Sequence, residues 1–247
     1  MGKLVKYEFR KSLFSKLIFI GITVLMEIVF LVGFYGKFNE SMGLGALGLF
    51  FTALAGISYI GIESIIILYR DLTTKQSYML FMTPNNSYKI LGAKALQNAA
   101  TVLLAGAFFG GLAAFDFSLL SKDLVPLKDI LDMLKMMLKD VDPRLQFTWQ
   151  TLAALLVMFL CSWVLQITTG YLAVVLSCTL LSGKKGAAVI SFIFYIAISS
   201  LISWVTGKIP GPTDAVPLLL VRSCISLVWS TIMYFITAYL MDKKLSV

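Results

Sequence analysis

The chain has 247 residues, of which 59% are hydrophobic and 14% charged, with mean hydropathy +0.88 and a formal net charge of +8. Soluble domains run nearer about 45–50% apolar and about 25% charged, so this composition excludes an ordinary soluble fold and needs lipid to cover it. The lack of histidine removes Ser-His-Asp and Cys-His catalysis, HExxH zinc sites and histidine proton relays, while Cys161, Cys178 and Cys224 stand in apolar runs without CxxC spacing.

Residues 2–15 read as an amphipathic helix. Val5, Phe9 and Leu13 recur at i+4 spacing, and Lys3, Lys6, Arg10 and Lys11 mostly take the other side. Such a helix lies in the membrane interface with its cations at the headgroups; the alternative is a loose basic tail that only sets orientation. The basic start and apolar run resemble a signal peptide, but the run from Leu17 to Tyr35 is long, contains Glu27 and lacks a small-x-small cleavage site, which predicts a retained first helix.

Span one is predicted over Leu17–Tyr35 and span two over Leu44–Tyr69, the latter starting in the glycine-rich stretch Gly43, Gly45, Gly48. The polar segment Arg70–Lys94 follows. Span three, Ile90–Phe115, carries Gly106-Ala-Phe-Phe-Gly110, a small-xxx-small pattern read as helix packing. Residues 116–147 form a polar excursion with its own predicted amphipathic helix, in which Leu127, Leu131, Leu134 and Leu138 step by four, three and four between charged positions. Span four is one long segment, Trp149–Leu181, either tilted, bent near Gly170 or extending past the membrane. After the basic turn Gly183-Lys184-Lys185-Gly186 comes span five, Ala187–Val205, then a broken Gly/Pro segment over 206–217 with room for short re-entrant pieces, then span six, Leu218–Met241. The fold class is therefore all-α and polytopic: a single transmembrane domain over 1–247, with six spans, an interfacial N-terminal helix and an extra outer helix between spans three and four.

With both termini inside, thirteen cations fall in inner segments and seven in outer ones, and five of those seven lie in the long 116–147 excursion, where charge has less influence. This places Arg70–Lys94 in the cytoplasm and predicts a multi-pass membrane protein. The positive charge is assigned to topology, and no nucleic-acid partner is inferred.

The chain carries no phosphate-binding loop. Ser182-Gly-Lys-Lys-Gly lacks the first glycine and the Lys-Ser/Thr end, so no nucleotide hydrolysis and no enzyme activity is expected of this chain. Charges within spans are costly and mark candidate functional residues. Glu27 is mid-span, facing a polar cavity, a subunit contact, or a hydrogen-bonding partner in the bundle. Glu63 lies about 9 Å inside the inner edge and is expected at the interface or beside a cytoplasmic cation. Arg222 sits near the outer edge of span six, where it can snorkel outward; on these limits Glu27 and Arg222 differ by about 13 Å in depth.

Three features carry a resemblance: the basic amphipathic start LVKYEFRKSLFSK running into span one, the inner loop from Arg70-Asp71-Leu72-Thr73-Thr74-Lys75 through Tyr78-Met79-Leu80-Phe81-Met82-Thr83-Pro84 to Lys94, and the broken segment between spans five and six. In these the chain resembles the permease subunits of type-2 ABC exporters. The resemblance implies two permease chains, as a homodimer, with two separate ATPase subunits that hold ATP and Mg; this chain would bind no cofactor. Residues 2–15 would be the elbow helix and 70–89 the coupling loop, with Asp71, Lys75, Tyr78, Met79, Leu80, Phe81, Thr83 and Pro84 at the ATPase contact. An aromatic-apolar cluster in a cytoplasmic loop is disfavoured by water unless a partner covers it; the alternative is that it dips into the inner leaflet. The 116–147 excursion departs from the commonest pattern of smaller exporters. It suggests exporters of amphipathic cytolytic peptides of the phenol-soluble modulin kind, with the outer helix as lid or wall. A drug or antibiotic substrate, with that helix as a structural cap, uses the same scaffold. An ATP-independent secondary transporter or channel is the competing class.

Overall fold

In the computed structural model, residues 2–73, 86–123, 144–180 and 186–245 are described, together with 128, 132, 135–137, 139–140 and 142. The long helices follow the apolar runs: α1 Gly2–Lys11, α2 Leu13–Gly36, α3 Asn39–Thr73, α4 Ser87–Asp123, α5 Trp149–Leu180, α6 Ala187–Gly207 and α7 Ala215–Leu240. Six of them, α2 to α7, are long and apolar enough to cross a membrane, as a multi-pass membrane protein requires. Large apolar side chains such as Phe14, Leu25 and Phe51 point outward along them, where lipid rather than water would meet them.

The α2–α3 hairpin turns on two residues. Lys37 takes a left-handed conformation (φ 56°), and the N–H groups of Lys37 and Phe38 return to the carbonyls of Phe34 and Gly33, which caps the last turn of α2. The two helices then run in close backbone contact because glycine stands at the crossing points. A Cβ on Gly33 would strike the backbone of Met42, and one on Gly45 the backbone of Phe30.

Helix α5 is the centre of the bundle, packed against α3, α4, α6 and α7. From Ile167 to Val175 it is buried on every side, and Gly170 lets the Ile65 side chain of α3 seat against it. The main core gathers Leu68 of α3, Leu91 of α4, Tyr171 and Val175 of α5, and Ala238 with Met241 at the end of α7. All of these lie toward the end of the bundle that holds both termini. Lipid tails are as apolar as these side chains, so helix association rests on close packing and on interhelical polar contacts. Ser64 and the fully buried Tyr171 share such a contact, a hydrogen bond of 2.5 Å, and the Tyr234 hydroxyl donates to the Tyr88 carbonyl at 2.6 Å, fastening α7 to the start of α4.

Several expectations are revised. The N-terminal helix ends at Lys11 rather than at 15, and among its described side chains the fully inward one is Glu8, not an apolar residue. Helix α3 runs on through Arg70 and Asp71 to Thr73, and α4 runs through Asp116 to Asp123, so the polar excursion starts later than 116. The Gly106–Gly110 pattern packs against nothing among the described residues; a Cβ at either glycine meets open space. No helix interrupts Lys208–Asp214, so the broken segment is a plain connection without re-entrant pieces, and Pro217 lies in the first turn of α7, where its missing N–H leaves no bond unmade. Span four is one uninterrupted helix, as expected.

The glycine contacts give a direct check. Gly45→Val should lower the thermal unfolding midpoint in detergent, with a destabilisation of about 1–3 kcal/mol from overpacking, whereas Gly106→Ala should leave it unchanged. Equal effects at the two positions would contradict the packing described.

Candidate functional site

The terminal end of the bundle holds a buried charge cluster. Helix α1 lies against α4, and this directs Glu8 inward to 6% exposure. Asp71, in the last turn of α3, is 2% exposed, and so is Lys94, two turns into α4. Lys94 Nζ donates to Asp71 Oδ2 at 2.6 Å and lies 3.0 Å from Glu8 Oε1. Lys11 Nζ donates to Asp71 Oδ1 at 2.8 Å and stands 4.0 Å from Glu8. Two cations and two carboxylates thus compensate one another, and both oxygens of Asp71 are engaged. Removing charges from water is costly, and only close, hydrogen-bonded geometry of this kind offsets it. The arrangement fixes where α1 sits on α3 and α4, the two helices that flank residues 74–85.

A second polar tier lies one to two turns deeper. Gln97 Nε2 donates to Ser12 Oγ and Thr101 Oγ1, both at 3.2 Å, and Lys16 Nζ donates to Thr101 Oγ1 at 3.0 Å. Asn98 Nδ2 donates to the Ile60 carbonyl at 2.8 Å while its Oδ1 accepts from Trp163 Nε1 at 3.0 Å. Lys94, Gln97, Asn98 and Thr101 stand at i, i+3, i+4 and i+7, so a single face of α4 carries the polar side chains of both tiers. Sequence reasoning passed over this stripe, and over Glu8. The signals were present: four polar residues at helical spacing inside an otherwise apolar span, and a lone acid in a basic helix three residues before Lys11.

The residues singled out from sequence fall in different places. Asp71 belongs to the cluster and points into the bundle. Lys75, Tyr78, Met79, Leu80, Phe81, Thr83 and Pro84 lie outside the described residues, as do Leu127, Leu131, Leu134 and Leu138. Helical residues 128, 132, 135–137 and 139–140 of the stretch between α4 and α5 are exposed, with Lys135 paired to Asp132 at 2.7 Å. Glu63 is 8% exposed beside Ser15 and Lys16. Glu27 faces Asp116 of α4, and each keeps one buried carboxyl oxygen without a hydrogen-bond partner. Asp116 was read as part of a solvated excursion and was therefore missed. Arg222 does not meet Glu27; it lines a partly polar cavity between α5, α6 and α7 with Ser162, Gln166, Ser199 and Thr206.

No group of three or more cysteine, aspartate and glutamate side chains comes together among the described residues. Compared with known proteins, the chain matches no family model, no curated protein and no solved structure.

The cluster should behave as a unit. Lys94→Met leaves two buried carboxylates short of a cation and should destabilise the protein by about 3–5 kcal/mol, and Lys11→Met, at the more exposed corner, by less. In chemical denaturation of the Asp71→Asn, Lys94→Met double variant, the loss should fall short of the sum of the singles. Additive losses would show that the two charges do not depend on each other.

Proposed function

We propose that this chain is the membrane-spanning permease subunit of an ATP-driven ABC exporter, powered by separate ATPase subunits. In this reading a homodimer of the chain sits in a bacterial plasma membrane with both termini in the cytoplasm, and moves an amphipathic peptide or hydrophobic drug-like substrate outward. The observation that carries the reading is the Glu8–Lys11–Asp71–Lys94 cluster. An exporter of this kind needs a mechanical link between a cytoplasmic docking element and the spans. The docking element would be the aromatic-apolar sequence Tyr78-Met79-Leu80-Phe81. Immediately before and after it, α3 and α4 are joined to each other and to α1 by buried ion pairs. A push on the segment would therefore move α1, α3 and α4 together rather than bend one helix end. Asp71 then acts as an inward anchor of the coupling element, and Lys75 with the aromatic residues supplies the outward contact.

The competing class, an ATP-independent secondary transporter, draws on one observation: the facing carboxyls of Glu27 and Asp116 within the spans, where acidic residues mark ion pathways. Proteoliposomes separate the two. The exporter reading expects transport only when the purified chain is combined with a P-loop ATPase encoded beside it and supplied with MgATP. Phe81→Asp or Leu80→Asp should cut transport per ATP hydrolysed by at least about tenfold, as loss of an interface hot spot would, while insertion is retained. Transport driven by an ion gradient without ATP, or unchanged coupling in both variants, would overturn it.

A further inference from the structure

A second site lies between α2, α3 and α4, apart from the docking element. Here the helices leave a cavity of about 370 Å³, within the range of about 300–1,000 Å³ typical of small-molecule sites. Its walls are apolar along most of their length, formed by Phe19, Ile20, Gly56, Leu104, Ala105 and Phe108. Its end nearer the termini is polar and charged: Lys16 and Glu63 converge there with the Thr101 hydroxyl. Lys16 marks the level in the membrane, because it is the last cation before the long apolar run of α2, which starts at the next residue, Leu17. The charged end therefore stands at headgroup depth. From Lys16 to Thr23, which also lines the cavity, α2 rises about 10 Å into the leaflet.

We propose that this cavity receives one phospholipid with a phosphoethanolamine headgroup, the headgroup at the polar end and one of its two acyl chains lying between α2 and α4. The argument is charge complementarity. Lys16 gives one of its three N–H groups to Thr101 and has others to offer a phosphate. Glu63 is nine-tenths buried and forms no ion pair among the described residues. Its immediate polar neighbours are the Ser15 hydroxyl and, across the cavity end, Lys16. One cation and one carboxylate match a zwitterion and disfavour a headgroup of net negative charge. A carboxylate also needs donors: a primary ammonium supplies three N–H groups, whereas a quaternary choline supplies none. Thr101 accepts from both Lys16 and Gln97, and Gln97 donates to Ser12 at the α1–α2 junction, so the bound headgroup touches the same polar tier that positions α1.

The proposal is independent of the exporter reading and is tested without ATP. The full chain is purified in mild detergent, reconstituted in lipid discs of equal phosphatidylethanolamine and phosphatidylglycerol, and released for native mass spectrometry of retained lipid. A parallel sample replaces phosphatidylethanolamine with phosphatidylcholine. One retained phosphatidylethanolamine per chain is expected, enriched about tenfold over the disc composition, the factor a charge-assisted hydrogen bond confers, with no such enrichment of phosphatidylcholine. Glu63→Gln should abolish the preference, and Ala105→Phe, which fills the apolar wall, should remove the retained lipid. Retained lipid that follows disc composition, or equal retention of the choline lipid, overturns the proposal on the wild-type protein alone. An unchanged lipid in folded Ala105→Phe assigns it to another surface and overturns it as well.

Discussion

Four charges gathered in one place, three of them buried, hold the terminal end of this bundle together. Glu8, Lys11, Asp71 and Lys94 come from three helices, and their pairing leaves no net charge in a region with little water. Apolar packing alone would let α1 slide along the bundle, because lipid offers it an equivalent apolar surface. Ion pairs and hydrogen bonds have directional geometry, so they set one position for α1. The main core adds to this at the same end, with Leu68, Leu91, Tyr171 and Met241 packed just beside the cluster. The other end is held by smaller groups such as Leu145, Ala154 and Leu219. The bundle is thus most tightly built where α3 ends and α4 begins.

The polar stripe of α4 extends this order inward. Lys94 belongs to the ion cluster, Gln97 and Thr101 to the tier with Ser12 and Lys16, and Asn98 bridges the Ile60 carbonyl of α3 and Trp163 of α5. Each step reaches a different helix, and all the steps lie on one face of a single rigid element. A displacement of α4 would therefore be felt by α1, α2, α3 and α5 at once. This is the physical content of the proposed coupling, and it places the phospholipid cavity beside the tier that would move.

The spans were legible in the sequence because long apolar runs have one economical solution in a bilayer, the helix. The far ends of spans two and three were not legible, and for one reason. A charged residue was taken as the end of a span, yet Asp71 and Asp116 both lie within continuous helices, where partners on neighbouring helices receive them. Partners far apart in sequence, such as Glu8 and Lys94, give no local signal. Glycine was legible in type but not in use: Gly33 and Gly45 admit neighbouring backbone, whereas the more conspicuous Gly106–Gly110 pattern admits nothing among the described residues. Glu63, expected at the interface or beside a cytoplasmic cation, stands near Lys16, while Glu27 faces Asp116 and, in keeping with the depth difference, not Arg222.

The account depends most on what covers Tyr78–Thr83. A photoreactive benzoylphenylalanine at position 81, in cells producing the full chain and its genomic neighbours, tests this contact with the membrane intact. Irradiation followed by mass spectrometry of the adduct should identify a peptide of a P-loop ATPase, with a yield that changes when MgATP is trapped on that subunit. Adducts confined to lipid, whatever the nucleotide, would contradict the account.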